Sequence, residues 1–377
     1  MRRWIRRVCK RLGVGQPRAR LVGTIGRHAR QHVRRRRHTG RVDLLYLLCV
    51  LQHVRQLVYE QFFLRVVQLE ARERGNAIDV GASQPFRHAK CYHAGMGSLR
   101  RAAVAGSWYP AHPDALVREV DRYLAAAGDP PAGTPLAIIA PHAGLMYSGP
   151  IAAHAYRLLF GREIEIAVLV GPSHYVGFEG AAIYERGAFE TPFGPIPVSE
   201  PCAAAVARAS RAIGPHPTAH VREHSLEMQL PFLKRVLPAV EIVPIVMGYQ
   251  RRETAYAVGD AIARAVEGRR AVLVASTDLS HYQNAPNAER LDRKVIQHVG
   301  RFDPDGLMSL LETDPEHACG GGPTVSVMRA AKALGAVDAR VLKYGNSGDV
   351  SGDRDAVVGY LAAAFGTFAP EATDGAA

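Results

Sequence analysis

The sequence predicts an α/β fold: a single three-layer domain with a mostly parallel central sheet flanked by helices. From residue 99 onward, short apolar runs rich in β-branched residues alternate with amphipathic segments of helix length. The apolar runs are nearly uninterrupted, as in parallel strands whose two faces are both buried. No internal repeat interrupts this alternation, so one domain of about 270 residues is the simplest organisation.

Seven strands and seven helices are predicted in this part of the chain. The strands are expected at 136–140, 167–170, 181–184, 242–247, 271–275, 341–344 and 357–362. The helices are expected at 113–127, 149–160, 199–212, 225–237, 252–267, 286–299 and 321–334. Two of these helices begin with typical start signals, Asp114 after Pro113 and Ser199 before Glu200.

Composition limits the class of protein. The chain has 377 residues, of which 47% are hydrophobic and 22% charged. These values exclude disorder of the whole chain, a collagen-like repeat and a small disulfide-stapled protein. The charge is uneven, because residues 1–95 contain 21 Lys and Arg against 5 Asp and Glu, whereas the remainder contains 26 against 30. The basic character therefore belongs to the first quarter alone.

We expect the basic first quarter, residues 1–95, to be disordered or to lie upstream of a natural start at Met96, where the charge balance changes sign. The arginine run 34–37 also suits an arm that binds nucleic acid or a membrane surface. Aromatic residues that would stack on bases are nearly absent there. Residues 96–367 should form the α/β domain, with no nucleic-acid or membrane partner, and residues 368–377 a flexible tail.

The five cysteines lie far apart and form no CxxC pair: Cys9, Cys49, Cys91, Cys202 and Cys319. This pattern favours reduced thiols and a cytoplasmic location over a disulfide framework. No run of 18 apolar residues is present for a transmembrane helix. The basic run continues where a secretory signal would need an apolar segment.

Three predicted strands are each followed by a histidine. His142 lies in the PHAG sequence after the first strand, His174 in GPSHY after the second, and His281 in STDLSHY after the fifth. Ligands of α/β sheets bind beyond the carboxyl ends of the strands, so we expect the three histidines to share a site. Two neutral imidazoles with one anionic ligand are typical of a reactive iron or a zinc site.

Several residues are candidates for the remaining roles. Cys319 precedes a predicted helix, where a thiolate is favoured as a metal ligand, and the alternative is a small buried apolar side chain. His224 and Glu227 would share a helix face as a ligand pair, an acid–base pair or a clamp, or Glu227 would only complement the helix dipole. Asp278 would orient and charge His281 as a base.

The motifs of some common enzyme classes are missing. The sequence has no HExxH and no GxSxG, which argues against a common metalloprotease and an α/β-hydrolase. The triple glycine at 320–322 has no Lys-Ser/Thr after it and no GxGxxG pattern, so it is a weak signal for phosphate binding.

Taken together, these segments resemble the Memo family, also called AmmeMemoRadiSam system protein B in prokaryotes. The resemblance runs from about Arg101 to Phe365. The segments that support it are AGSWYP at 105–110, the APHAG and GPSH loops, HSLE at 224–227, DLSH at 278–281, CG at 319–320 and KYGNSGDVSGD at 343–353.

The resemblance implies a fold similar to the class III extradiol dioxygenases, which are non-haem iron enzymes. It implies His142 and His174 as metal ligands, His281 as the acid–base histidine, and Cys319 in place of a carboxylate ligand. A thiolate favours copper or zinc and alters iron chemistry, so the dioxygenase activity does not carry over. The expected cofactor is a divalent metal, first iron or copper and then zinc.

The resemblance also implies partners. Eukaryotic relatives are signalling proteins with a phosphotyrosine-peptide site in the same cleft, near the tryptophan that is Trp108 here. Prokaryotic members accompany an AMMECR-type protein and a radical SAM protein. Besides these, the partner would be an unknown small molecule or peptide.

Three functions are therefore open. The first is a metal-dependent redox or oxygenase-like activity, with a catalytic group of His281, Asp278, His224 and Glu227. The second is a non-catalytic module that binds a peptide or protein in the same cleft. The third is a copper or iron carrier.

Overall fold

The computed structural model describes residues 99–370. The predictions made above for residues 1–95 and for the end of the tail, 371–377, lie outside the described residues. Within the described range the chain forms the expected mixed α/β domain, with a central, mostly parallel sheet flanked by helices.

Twelve strands are present between residues 99 and 370. They are β1 (Leu99–Arg100), β2 (Gly133–Ala140), β3 (Ile166–Pro172), β4 (Ala181–Ile183), β5 (Ala188–Phe189), β6 (Ile196–Pro197), β7 (Ile213–Pro215), β8 (Glu241–Met247), β9 (Ala271–Ser276), β10 (His281–Gln283), β11 (Asp338–Asn346) and β12 (Val357–Phe368).

Nine of these strands form the main sheet, in the order β10, β12, β2, β9, β3, β8, β4, β7, with β11 also paired to β12. The four central strands β2, β9, β3 and β8 are parallel. Strands β12 and β4 flank them in antiparallel orientation. A small second sheet joins β1, β5 and β6. The carboxyl ends of the four central strands therefore lie at one edge of the main sheet.

Ten α-helices connect these strands in the described range. They are α1 (Pro113–Ala126), α2 (Leu145–Arg157), α3 (Glu200–Ala209), α4 (Pro217–Val221), α5 (Leu230–Val236), α6 (Arg252–Val266), α7 (Ala285–Gly300), α8 (Pro304–Thr313), α9 (Gly321–Ala333) and α10 (Gly348–Ser351). None of them combines the length and apolarity that a membrane span requires.

The helices pack in two groups around a core made by the central strands. Helices α1, α2 and α5 contact one another, and α9 packs on α6 and α8. Between them, Ile138, Val168, Val243 and Val274 have no exposed surface. Burial of apolar side chains such as these stabilises the fold by roughly 1.5–3 kcal/mol each.

Each of the seven predicted strands and seven predicted helix regions contains regular structure. The region 225–237 differs, because a 3₁₀ turn (Glu227–Gln229) precedes the short helix α5. Helix α8 was not predicted. Its start signal is Asp303, whose carboxylate caps the helix by accepting a hydrogen bond from the Gly306 amide at 2.9 Å. Phe368, which we assigned to the tail, ends β12 and is buried.

A buried ion pair ties the first described residues to the middle of the chain. The Arg100 guanidinium binds the Glu227 carboxylate, and both side chains are almost fully enclosed. The same carboxylate accepts hydrogen bonds from the amides of Ala103 and Val104 at 2.8 and 3.0 Å and from the Tyr109 hydroxyl at 2.8 Å. Glu227 thus anchors the segment 100–109.

Arg100→Ala should reduce the free energy of unfolding by about 3–5 kcal/mol, because it leaves the buried Glu227 carboxylate without its counter-charge. Arg101→Ala is the matched control, since the Arg101–Glu190 pair is exposed and should contribute less than about 1 kcal/mol. Urea unfolding of both variants measures the difference. Equal losses in the two variants would contradict this assignment.

Candidate metal site

Three neighbouring parallel strands deliver the site residues to one edge of the sheet. Strand β2 is followed by His142, β3 by His174, and β9 by Asp278. Cys319 reaches the same place from the other direction, two residues before α9. The expected meeting of His142 and His174 beyond the strand ends is therefore observed, with Cys319 beside them.

His142, His174 and Cys319 form a compact group of potential metal ligands. One ligand atom from each lies within 4.8 Å of the others. The Cys319 Sγ is 3.2 Å from His142 Nε2, and the two imidazole centroids are 5.1 Å apart. Metal–ligand bonds of about 2.0–2.3 Å place neighbouring ligands about 3–4 Å apart. The donor types and their spacing therefore fit a bound transition metal.

His142 is held from behind by two buried hydrogen bonds. Its backbone amide donates to the Asp278 carboxylate at 2.7 Å, and its Nδ1 lies 2.9 Å from the Ser276 hydroxyl. The residue is almost fully buried, and its Nε2 lies 3.2 Å from Cys319 Sγ. These bonds direct Nε2 toward Cys319.

His174 is held by a carboxylate that the sequence analysis missed. Glu223 is buried, and its oxygens accept hydrogen bonds from the His174 amide at 2.6 Å and from His174 Nδ1 at 2.8 Å. Burial opposes ionisation, but the adjacent His174 holds the pKa of Glu223 well below its usual range. A carboxylate on Nδ1 fixes the ring and leaves Nε2 for the metal side. The sequence signal available for Glu223 was its position directly before His224.

Cys319 lies among hydrogen-bond donors at the beginning of α9. Its Sγ accepts from the Asp278 amide at 3.3 Å. Burial alone would raise the pKa of the thiol, but the neighbouring His142 ring lowers it to about 7. At Gly320, a Cβ would lie 2.3 Å from the Ser276 carbonyl oxygen. The glycine is therefore explained by close packing against the end of β9.

His281 is close enough to His174 and Asp278 to interact with their charges, but its orientation differs from the prediction. Its Nδ1 donates to the Leu279 carbonyl at 2.7 Å, whereas the Asp278 carboxylate binds the His142 backbone. The expectation that Asp278 orients the His281 ring directly is therefore wrong. Asp278 acts on it through charge: burial lowers the pKa of His281 and the carboxylate opposes that shift.

His224 and Glu227 point to different places, because the predicted single helix over them is absent. The His224 ring stacks on His174, with centroids 4.4 Å apart and an interplanar angle of 15°. The described hydrogen bonds of the Glu227 carboxylate go to the segment 100–109. Glu227 therefore braces the site from a distance, and His224 is the member of this pair that lies among the histidines.

Trp108 completes one wall of the site. Its ring lies 4.4 Å from His224, on the segment that Glu227 anchors. The Tyr175 hydroxyl also contacts His224 and lies 3.3 Å from its Nδ1. Trp108, His174, Cys319 and His281 are all partly exposed, so solvent reaches this face of the group.

The family model described as Memo-like protein matches residues 100–364. The chain belongs to the Memo family. A MEMO1 family protein of Methanothermobacter thermautotrophicus is 39% identical over 272 residues, covering 70% of this chain and 98% of the relative. The MEMO1 family protein of Methanopyrus kandleri is 39% identical over 278 residues, with coverages of 71% and 98%.

A third archaeal MEMO1 family protein, from Methanocaldococcus jannaschii, is 38% identical over 285 residues and covers 71% of this chain and 99% of the relative. The matched region of this Memo-family chain begins at Arg100 and includes every residue of the ligand group. The fold and the candidate metal site therefore lie within the part of the chain that defines the family.

In the metal-free protein, alkylation of Cys319 by iodoacetamide should rise with pH around a midpoint of about 7, because the thiolate is the reactive form. Cys202 is the internal control: it is buried and its pKa is raised by burial, so it should stay unmodified. Peptide mass spectrometry after brief labelling measures both. A Cys319 midpoint at the ordinary thiol value of about 8.5 would contradict the assignment.

Proposed function

We propose that this Memo-family chain is a metal-dependent redox or oxygenase-like protein that acts on a small molecule. His142, His174 and Cys319 would hold the metal, and His281 would move a proton to or from the substrate. The observation that supports this most is the ligand group itself, with its three ligand atoms within 4.8 Å. The Nδ1 atoms of His142 and His174 are bonded to Ser276 and Glu223, which leaves both Nε2 atoms available.

The donor set indicates the kind of metal. Imidazole and thiolate ligands favour iron, copper or zinc over magnesium or calcium, which prefer oxygen ligands. Iron or copper, when bound, would supply one-electron chemistry close to the exposed side of the group. We propose iron or copper as the physiological metal, with zinc as the alternative.

His281 is the group we assign to proton transfer. Because Nδ1 donates to the Leu279 carbonyl, the neutral ring presents Nε2 as an acceptor. Burial lowers the pKa of the ring, which favours this neutral, basic form. The buried Asp278 carboxylate would stabilise the imidazolium after proton uptake, as a nearby anion does. His224 would line the substrate side through its stacking on His174.

We further propose a cytoplasmic location, with AMMECR-type and radical SAM proteins as partners. The described cysteines, Cys202 and Cys319, are free thiols, as in a reducing compartment. The partner proposal derives from the family resemblance alone.

The purified full-length protein should contain near-stoichiometric iron or copper when prepared without oxygen. His142→Ala and Cys319→Ser should each lose most of it, because each removes one of three ligands. His281→Ala is the matched control. It removes an imidazole that lies outside the ligand group and also outside the alternative group of His174, Glu223 and His224, whose ligand atoms lie within 4.8 Å of one another too. Elemental mass spectrometry gives the metal content. Wild-type metal content in both ligand variants would overturn the proposal.

A peptide-binding module is a second candidate, and the position of Trp108 favours it. The partly exposed indole lies against His224, and Glu223 and Asp278 are already bound by protein donors. Such a wall would accept an anionic aromatic side chain, because the imidazoles lie beside the indole. The two carboxylates, which would repel an anion, are already bound by protein donors.

A phosphotyrosine peptide is the probe for this second candidate. Binding that is unaffected by a chelator and at least tenfold weaker in Trp108→Ala would favour a module without catalysis. Binding that requires the metal, together with oxygen uptake or metal-centred reduction, would favour the enzyme. Titration calorimetry with and without chelator separates the two. Copper uptake coupled to reduction, with no turnover of substrate, would instead indicate a carrier.

A further inference from the structure

Ser276 lies at a junction of buried hydrogen bonds behind His142. Its hydroxyl oxygen is 2.6 Å from the Ser225 carbonyl oxygen, 2.8 Å from Gln229 Nε2 and 2.9 Å from His142 Nδ1. Ser225, Gln229 and Ser276 have no exposed surface. Their polar groups must therefore form hydrogen bonds with one another or with neighbouring groups of the protein.

The directions of these hydrogen bonds follow from the number of hydrogens. The Ser225 carbonyl can only accept, so the single Ser276 hydroxyl hydrogen points to it. The Gln229 amide nitrogen also lies 3.1 Å from the Pro141 carbonyl, and the Tyr156 hydroxyl donates to Gln229 Oε1 at 2.8 Å. Both contacts fix the amide with its nitrogen toward Ser276. Ser276 therefore has only acceptor capacity left for His142.

We infer that Ser276 is a positioning residue that holds neutral His142 as the Nδ1–H tautomer and so prepares Nε2 as a metal ligand. His142 Nδ1 must donate to the hydroxyl, because the other tautomer would take the hydrogen from the Ser225 carbonyl. Nε2, 3.2 Å from Cys319 Sγ, then keeps its lone pair on the ligand side. This inference rests on the proposed metal function and adds a residue to it.

His174 obtains the same tautomer in a different way. Its Nδ1 donates to a carboxylate, which is an acceptor without any hydrogen when ionised. A serine hydroxyl can both donate and accept, so it selects the tautomer only because Gln229 and Ser225 occupy its other positions. The Nδ1–H tautomer of His142 thus depends on all of the hydrogen bonds around Ser276.

The test measures the tautomer and the metal affinity separately, in the full-length protein. Long-range proton–nitrogen NMR of histidine-labelled, metal-free protein at pH 8 distinguishes Nδ1–H from Nε2–H rings, and the signal missing in His142→Gln assigns His142. Every tautomer spectrum, including that of the chain with wild-type Ser276, is recorded in the Cys319→Ala background, because the Cys319 thiolate present at pH 8 would itself attract a hydrogen to Nε2. The wild type should show Nδ1–H. Ser276→Ala should show the other tautomer or a mixture, and its iron or copper affinity should fall about 10- to 100-fold.

Two further variants serve as controls. Ser276→Thr keeps the hydroxyl and should keep the Nδ1–H tautomer. Ser326→Ala removes another fully buried serine hydroxyl, one bonded to the Ala255 and Gly322 carbonyls, and should change neither readout.

Two results would overturn the inference. One is an Nε2–H ring in the wild type, which decides the matter even if Ser276→Ala does not fold. The other is an Nδ1–H ring with affinity within about twofold of wild type in Ser276→Ala. A wild type that binds no metal would refute the proposed function, whereas the tautomer measurement would still decide the role of Ser276.

Discussion

The side chains behind His142 and His174, the two candidate metal-ligand histidines, are buried, and their hydrogen-bond arrangement depends on this burial. Ser225, Gln229 and Ser276 have no exposed surface, and Glu223 is nearly enclosed. A buried polar atom left without a partner costs about 1–3 kcal/mol. Each such atom is therefore bonded to another part of the chain. The orientation of the imidazole rings is a consequence of that requirement, because the rings complete hydrogen bonds that water cannot supply.

The two candidate ligand histidines complete those bonds with different partners. His174 faces the charged Glu223 carboxylate, and His142 faces the neutral Ser276 hydroxyl. A carboxylate partner raises the basicity of an imidazole more than a hydroxyl does. His174 would therefore be the stronger electron donor of the two. Together with the Cys319 thiolate, this makes the donor set asymmetric.

The sequence predicted the strands and the histidines that follow them, because both are local features. An apolar run and the loop after it identify a strand end without any knowledge of its neighbours. The partners of those histidines were not predictable in the same way. Ser276 reaches His142 because β2 and β9 are adjacent, and Glu223 reaches His174 across 49 residues of chain. The contacts of Glu227 were predicted wrongly, because they depend on where residues 100–109 fold.

The contacts of Glu227 also connect two walls of the site, namely the loop that supports His174 and the segment that supplies the Trp108 indole. The Arg100 guanidinium binds the Glu227 carboxylate and donates to the carbonyls of Glu223 and His220. Glu227 in turn holds the backbone of the segment that includes Trp108. The loop that supports His174 and the segment that supplies the indole wall therefore share one buried ion pair. Because removing one partner of such a pair leaves an uncompensated charge, neither wall can shift far without disturbing the other. The candidate metal ligands and the indole wall are thus connected through one buried ion pair, and a function that uses either would depend on both.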